Sequence, residues 1–195
     1  MKKIVLIVLL TLLGGGLSAQ TNSRKAARQV EKARRAAMDS VLHLGAVQAL
    51  ESGAFVVEVD RLIFKRGRTA SVSSNTNFVS RDGDEAFVQI AFNTVLAGPN
   101  GVGGITVLAG PNGVGGITVR GNVSDVTVRT DKKGYLYYGM NVQGIGISAR
   151  VDIMLIPGAD RASVTVDPNY SSNRITMEGR VLPSVDSRVF KGRFH

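Results

Sequence analysis

From Ala54 onward, apolar and polar residues alternate with a period of two, in short runs separated by turn residues. The clearest run is Ile145 to Ile156. Ile145, Ile147, Ala149, Val151, Ile153 and Leu155 fall on one face, with Gly146, Ser148, Arg150 and Asp152 on the other. That alternation describes a strand with one buried and one solvated face, as antiparallel sheets allow. Phe55 to Phe64, Ala86 to Phe92, Tyr135 to Val142, Ala162 to Val166 and Ile175 to Val181 are further strand candidates, and Phe78-Val79 follows a polar bend at Ser73 to Asn77. Asp82-Gly83 and Asp131-Lys132-Lys133-Gly134 supply turns, and Val119 to Val128 is interrupted at Asn122 to Asp125. About eight to nine short strands at this spacing predict a mainly β domain over residues 53–195, an antiparallel bent β-barrel or sandwich. Glycines inside the strands (Gly121, Gly139, Gly144, Gly146, Gly179) mark bends and favour the barrel.

Ahead of this region the period lengthens. Ala26, Val30, Ala33, Ala37, Val41 and Leu44 recur at helical spacing, which predicts a helix from about Ser23 to Leu50 within a basic amphipathic segment, residues 20–52. Thr21, Asn22 and Ser23 are candidate N-caps, Ser52-Gly53 is a stop, and Gly45 is a candidate kink. The apolar stripe is alanine in its first half and larger in its second (Met38, Val41, Leu42, Leu44, Leu50). The second half is therefore expected to pack on the β domain, and the arginine-bearing first half to project.

The opening residues carry a different signal. Lys2 and Lys3 precede an apolar run from Ile4 to Leu13, then Gly14-Gly15-Gly16 and Leu17-Ser18-Ala19. This is the layout of a secretory signal peptide, with cleavage expected after Ala19. An apolar run of ten residues falls short of the ~20 that a membrane-spanning helix needs. The expected compartment is outside the cytoplasm, periplasmic or secreted. The chain has no cysteine, so neither a lipid anchor at a mature N-terminal cysteine nor a disulfide is available.

Removing Lys2 and Lys3 takes the formal charge from +9 to +7. Most of that lies between Gln20 and Arg35, where Arg24, Lys25, Arg28, Lys32, Arg34 and Arg35 face a single Glu31. These six residues form a candidate surface for an anionic partner. Export argues against nucleic acid, and no aromatic residue precedes Phe55 to insert into a membrane interface. The absence of tryptophan and the four tyrosines leave no aromatic girdle for an outer-membrane barrel. No membrane span is expected after signal cleavage.

Catalytic chemistry has little to work with. His43 lies on the helix and His195 ends the chain. No metal-ligand spacing, no Gly-x-Ser-x-Gly elbow and no complete phosphate loop is present, so no catalytic residue, metal or cofactor is expected. Asp82, Asp84 and Glu85 read as a solvated hairpin turn. Ser73-Ser74-Asn75 and Ser171-Ser172-Asn173 echo each other and, with Arg174, form a candidate binding rim, although such triplets commonly close Asx- and Ser-type turns. Arg81 and Arg174 together are expected to make one end of the domain positive.

Val95 to Thr106 is repeated without change as Val107 to Thr118. Each copy holds one Pro-Asn-Gly turn and one short strand, so a second ordered copy would reverse every later strand of a meander. One copy is expected to loop out while the other keeps the pairing.

Phe55-Val-Val-Glu-Val-Asp60, Val72-Ser-Ser-Asn-Thr-Asn-Phe78, Gly110-Pro-Asn-Gly-Val-Gly-Gly116, Ser171-Ser-Asn-Arg-Ile-Thr176 and Val189-Phe-Lys-Gly192 resemble the shared blocks of the family named domain of unknown function 4251. The resemblance runs from the helix nearly to the C-terminus. It implies an exported protein of Gram-negative gut bacteria and carries no catalytic residues. The family's glycine-rich block occurs once, whereas this chain has it twice. Taken together, the expectation is a non-enzymatic binding module whose interior or rim takes a small apolar or glycan-like ligand. The alternative is a structural or adaptor protein of the bacterial envelope, acting through its basic helix or a sheet edge.

Overall fold

The computed structural model describes residues 2–63, 67, 69–92, 115–144, 148–169, 174–187 and 189. Among these residues a single helix, α1 (Lys2–Ser52), precedes nine strands: β1 (Ala54–Ile63), β2 (Thr69–Ser71), β3 (Phe78–Asp82), β4 (Glu85–Phe92), β5 (Gly115–Thr130), β6 (Leu136–Gly144), β7 (Ser148–Leu155), β8 (Arg161–Pro168) and β9 (Ile175–Pro183). Strands β1 and β3 to β9 pair antiparallel in sequence order, and β9 pairs back to β1. The result is a closed eight-stranded barrel with β2 as an extra strand on the second half of β1. The backbone divides into two units, 1–41 and 42–195, the second containing the barrel.

The alternation seen in the sequence becomes the inside and outside of this barrel. On β7, Ala149, Val151, Ile153 and Leu155 are buried, while Ser148, Arg150, Asp152 and Met154 point outward. The same rule sets Val57 of β1, Val88 of β4, Met140 of β6, Val164 of β8 and Met177 of β9 inside, where all five, with Val151, are 0% exposed. No gap wide enough for a water molecule opens beside them. Eight strands enclose a space that side chains can just fill, and here they fill it at the described positions. The core at these positions is closely packed, and Phe55 and Tyr138 belong to the same cluster.

Closing the sheet on itself demands local accommodations. The pairing of β1 with β9 shifts register between Val59 and Arg61, a bulge that bends β1. Gly179 lies opposite this bend, where an added Cβ would be 2.3 Å from the Glu58 carbonyl oxygen. Only a residue without a side chain allows the two backbones to approach this closely. Val119 to Val128, read as interrupted, is one strand: a register shift between Ser124 and Thr127 on the β6 side, with Asp125 at φ +50°, absorbs the polar stretch as a bulge. Asp and Asn tolerate this left-handed backbone better than most residues.

The helix is continuous through Gly45. Its burial is narrower than the stripe predicted. Within the barrel unit, Ala46, Ala49 and Leu50 join the core, whereas Leu44 remains 66% exposed. Met38 and Val41, in the separate first unit, are also exposed. The last turns cover the barrel end where β1 begins. Gly53, at φ +70°, reverses the chain from α1 into β1, its N–H donating to the Leu50 carbonyl. His43, expected to be an ordinary helix-face residue, lies 2.8 Å from the Ala159 carbonyl through Nδ1, tying the helix to the β7–β8 turn. Outside the barrel, Val56, Phe78 and Val189 form a small second cluster with Phe87, which stacks on Phe78.

The second copy of the duplicated segment ends in β5, where Gly115 to Thr118 pairs with β4. The first copy, 95–106, lies outside the described residues.

Two substitutions test this architecture by urea unfolding. Leu50→Ala is expected to cost about 2–5 kcal/mol, as for a truncated core leucine. Gly179→Ala is expected to cost about 1–3 kcal/mol, because the obstacle is backbone and cannot rotate away.

Candidate functional site

Among the described residues the interior strand positions are closely packed, and the densest polar groupings lie on the outer face. Across β5, β6 and β7 the outward positions form rows: Arg129, Tyr137 and Met154; Thr127, Gly139 and Asp152. One row further, Ser124, Asn141 and Arg150 align. Arg150 is the hub. Its Nε donates to Asp152 Oδ1 at 3.1 Å, and its remaining nitrogens reach Asn141, Thr127 and the Asp125 carbonyl at 3.4 Å. The guanidinium lies flat because Gly139 has no side chain; a Cβ there would be 2.2 Å from Arg150 Nη2. Asn141 Nδ2 donates to Asp125 Oδ2 at 2.7 Å, and the Arg129 guanidinium stands 4.1 Å from the Tyr137 ring centre. The array is polar, open and held by its own hydrogen bonds.

A second charged group bridges β1, β8 and β9. Arg161 meets Asp60 through two nitrogens, and Arg180 meets Asp160 at 2.7 Å. The bond to Asp60 raises the Arg161 pKa above its ordinary value, outweighing the cost of its partial burial. The Arg161–Asp60 pair is partly exposed and fixes its side chains more than it stabilises the fold, whereas Asp160 is buried beneath Arg180. Asp60 and Arg180 lie within β1 and β9, whereas Arg161 opens β8 and Asp160 belongs to the turn before it. Among the described residues, no helix is long and apolar enough to cross a membrane. Nor do three His, Asp or Glu side chains gather as metal ligands among them.

The candidate rim is only partly visible. Ser73, Ser74 and Asn75 form the turn between β2 and β3. Thr76 N–H and Asn77 Nδ2 both donate to the Ser73 carbonyl, so this triplet closes a turn. The polar residue missed by the sequence reading is Asn77. It is buried, and its Oδ1 accepts from the Ala91 N–H at 2.8 Å while its own carbonyl accepts from Val59 N–H. It joins β1, the turn and β4, a role signalled only by an amide beside an apolar strand start. Ser171, Ser172 and Asn173 lie outside the described residues. Arg174 pairs with Asp167 at 3.0 Å across the β8–β9 connection.

Arg81 and Arg174 do not make one positive end. Arg81 lies at the helix-covered end, opposite Phe55 and Ala86, and therefore points inward. It donates to the Tyr138 hydroxyl and to the Gly83 carbonyl, while Tyr138 meets Phe55 edge-on. Arg174 belongs to the opposite end, beside Ile175. The antiparallel order puts β3 ends and β9 starts at opposite mouths of the barrel.

In the first unit Arg24, Lys25, Arg28, Lys32, Arg34 and Arg35 are all exposed on α1. Arg24, Arg28, Lys32 and Arg35 follow one another by four, four and three positions, which aligns them on one side of the helix. Arg35 pairs with Glu31 at 2.8 Å.

A closed antiparallel barrel of eight strands, entered from a helix, defines the class of this protein. A family model, Domain of unknown function (DUF4251), matches residues 42–181, and the chain belongs to that family. Among solved structures, the crystal structure at 1.95 Å of a DUF4251 family protein from Bacteroides eggerthii DSM 20697 is similar to it. The two share 43% sequence identity with a TM-score of 0.68, over 82% of this chain and 99% of that one. A search of curated proteins gives no match.

Asn77 and Asn75 separate structural from surface roles. Asn77→Ala is expected to cost about 1–3 kcal/mol by leaving the Ala91 N–H unpaired, and Asn75→Ala at most ~0.5 kcal/mol; thermal and urea unfolding of both variants measure the contrast.

Proposed function

We propose that this chain is an exported, non-enzymatic adaptor of the bacterial envelope that binds through its outer surface. The observation that carries this reading is the packed interior. A ligand of drug or sugar size needs a hollow of at least ~300 Å³, and side chains such as Val57, Val151 and Met177 leave no room for even one water beside them. Binding then belongs to the exterior. The exterior offers a basic stripe on α1 that suits phosphate- or carboxylate-bearing envelope polymers, because lysine and arginine attract such groups at long range.

The test compares the chain from Gln20 with one lacking residues 20–35. Retention of each on purified envelope fractions is measured at rising ionic strength. The longer chain is expected to be retained at low salt and released as salt screens the contacts, and the shorter one to be lost throughout. Equal, salt-insensitive retention of both would overturn the role of the stripe.

A second reading, a small glycan-like ligand, finds support in the polar array on β5 to β7. Thr127, Asn141 and Asp152 carry hydroxyl, amide and carboxylate groups around the Arg150 guanidinium that covers Gly139. Titration calorimetry with envelope glycan fragments would be expected to show about tenfold weaker binding for Asn141→Ala, the worth of one hydrogen bond.

A further inference from the structure

The strand β5 outruns its neighbour. Pairing with β4 ends at Asn122, opposite Glu85, and the Val123 N–H donates to the Asp84 carbonyl at 2.8 Å just beyond. From Ser124 to Thr130, β5 is paired only with β6 among the described residues. Every residue of this stretch is exposed, including Val126 at 42% and Val128 at 44%. A row of backbone donors and acceptors beside exposed valines is a template for another strand.

The sequence of this edge limits which strand fits. Past the bulge the alternation is regular. Asp125 bonds Asn141, Thr127 lies opposite Gly139 and Arg129 covers Tyr137, so these three share the outward face. Val128, opposite the inward Tyr138, lies on the other face, and by alternation so does Val126. The stretch therefore reads Asp-Val-Thr-Val-Arg, with opposite charges placed symmetrically about Thr127.

We propose that the partner is a second copy of this chain, pairing antiparallel along β5 about a two-fold axis at Thr127. In this register Asp125 of each copy faces Arg129 of the other, Val126 faces Val128, and Thr127 faces itself. Opposite charges directly across an antiparallel pair are favourable and like charges are not. A shift that centres on Val128 would set Asp125 against Asp131. A parallel, in-register pair would set like against like. Only the Thr127 register joins both charged pairs, and a two-fold contact uses the same patch on both copies. This pairing is independent of the basic stripe on α1 and stands or falls separately from it.

Two experiments test it on the chain from Gln20. The first uses the absence of native cysteine. Thr127→Cys is expected to form a disulfide-linked dimer on mild oxidation, since the two side chains face each other. Thr130→Cys is not, since the two positions would be about 20 Å apart along the strands. Equal crosslinking of both variants, or none in either, would overturn the proposal. The second is sedimentation of charge variants. Arg129→Asp alone and Asp125→Lys alone each set like charges across the pair and are expected to stay monomeric to at least tenfold higher concentration than the native chain. Mixed together they restore both opposite-charge pairs and are expected to form a heterodimer. Asp125 is at φ +50°, so thermal melting of the lysine variant is checked first. A native chain that stays monomeric at every concentration, or a mixture that does not associate, would also overturn it.

Discussion

Strand β1 has to satisfy hydrogen-bond ladders on both of its edges at once, and the rest of the fold follows from that demand. Along one edge it meets β9 from Phe55 to Ile63; along the other it meets β3 and then β2. A straight strand cannot serve both, because a sheet that closes on itself must coil. The bulge after Val59 supplies the bend, and Gly179 lets β9 follow it. Once the ring is shut, most inward positions lose contact with water, the exceptions including Val126 and Val128 where β5 runs past β4. Those positions carry valine, isoleucine, leucine and methionine, with Phe55 and Tyr138 at the helix-covered end. The end of α1 supplies Ala46, Ala49 and Leu50 to the same core.

The inward face of the barrel was written plainly in the sequence, because a period of two depends only on side-chain direction and not on partners. Ala149, Val151, Ile153 and Leu155 were assigned to one buried face from alternation alone, and they share it in the structure. What escaped the reading depended on neighbours far away in the chain. Strand β2, of three residues, is too short to show any alternation, and it exists because β1 outlasts β3. The polar stretch at Asn122 to Asp125 looked like a break, since nothing local says that β6 will accept a bulge there. The placement of Arg81 and Arg174 at opposite mouths follows from strand order, which no single segment records. The helix was legible as a helix, but its own spacing does not say that Ala46, Ala49 and Leu50 would be the residues to join the core.

For the candidate surfaces the balance is different. Ser73, Ser74 and Asn75 were recognised as polar, and their turn-closing role follows from local backbone geometry. The hub at Arg150 could not be read, because it joins residues of three strands over a glycine whose importance is only its lack of a side chain. The basic residues of α1 were found from composition alone, as charge is additive along a chain. Membership in a family whose function is unknown adds the fold and assigns no residue a role.

The seam between β1 and β9 has a kinetic consequence. Phe55 finds its partner at Pro183, so the two ends of the domain must meet before the ring exists. Contacts so distant in sequence form late, since a long loop has to close before any of them is rewarded. A chain delivered N-terminus first, from a ribosome or through a narrow pore, therefore cannot lock into its final shape until its last strand has emerged. Until then the earlier strands form an unclosed sheet, and the edge of β1 that β9 will cover stays open.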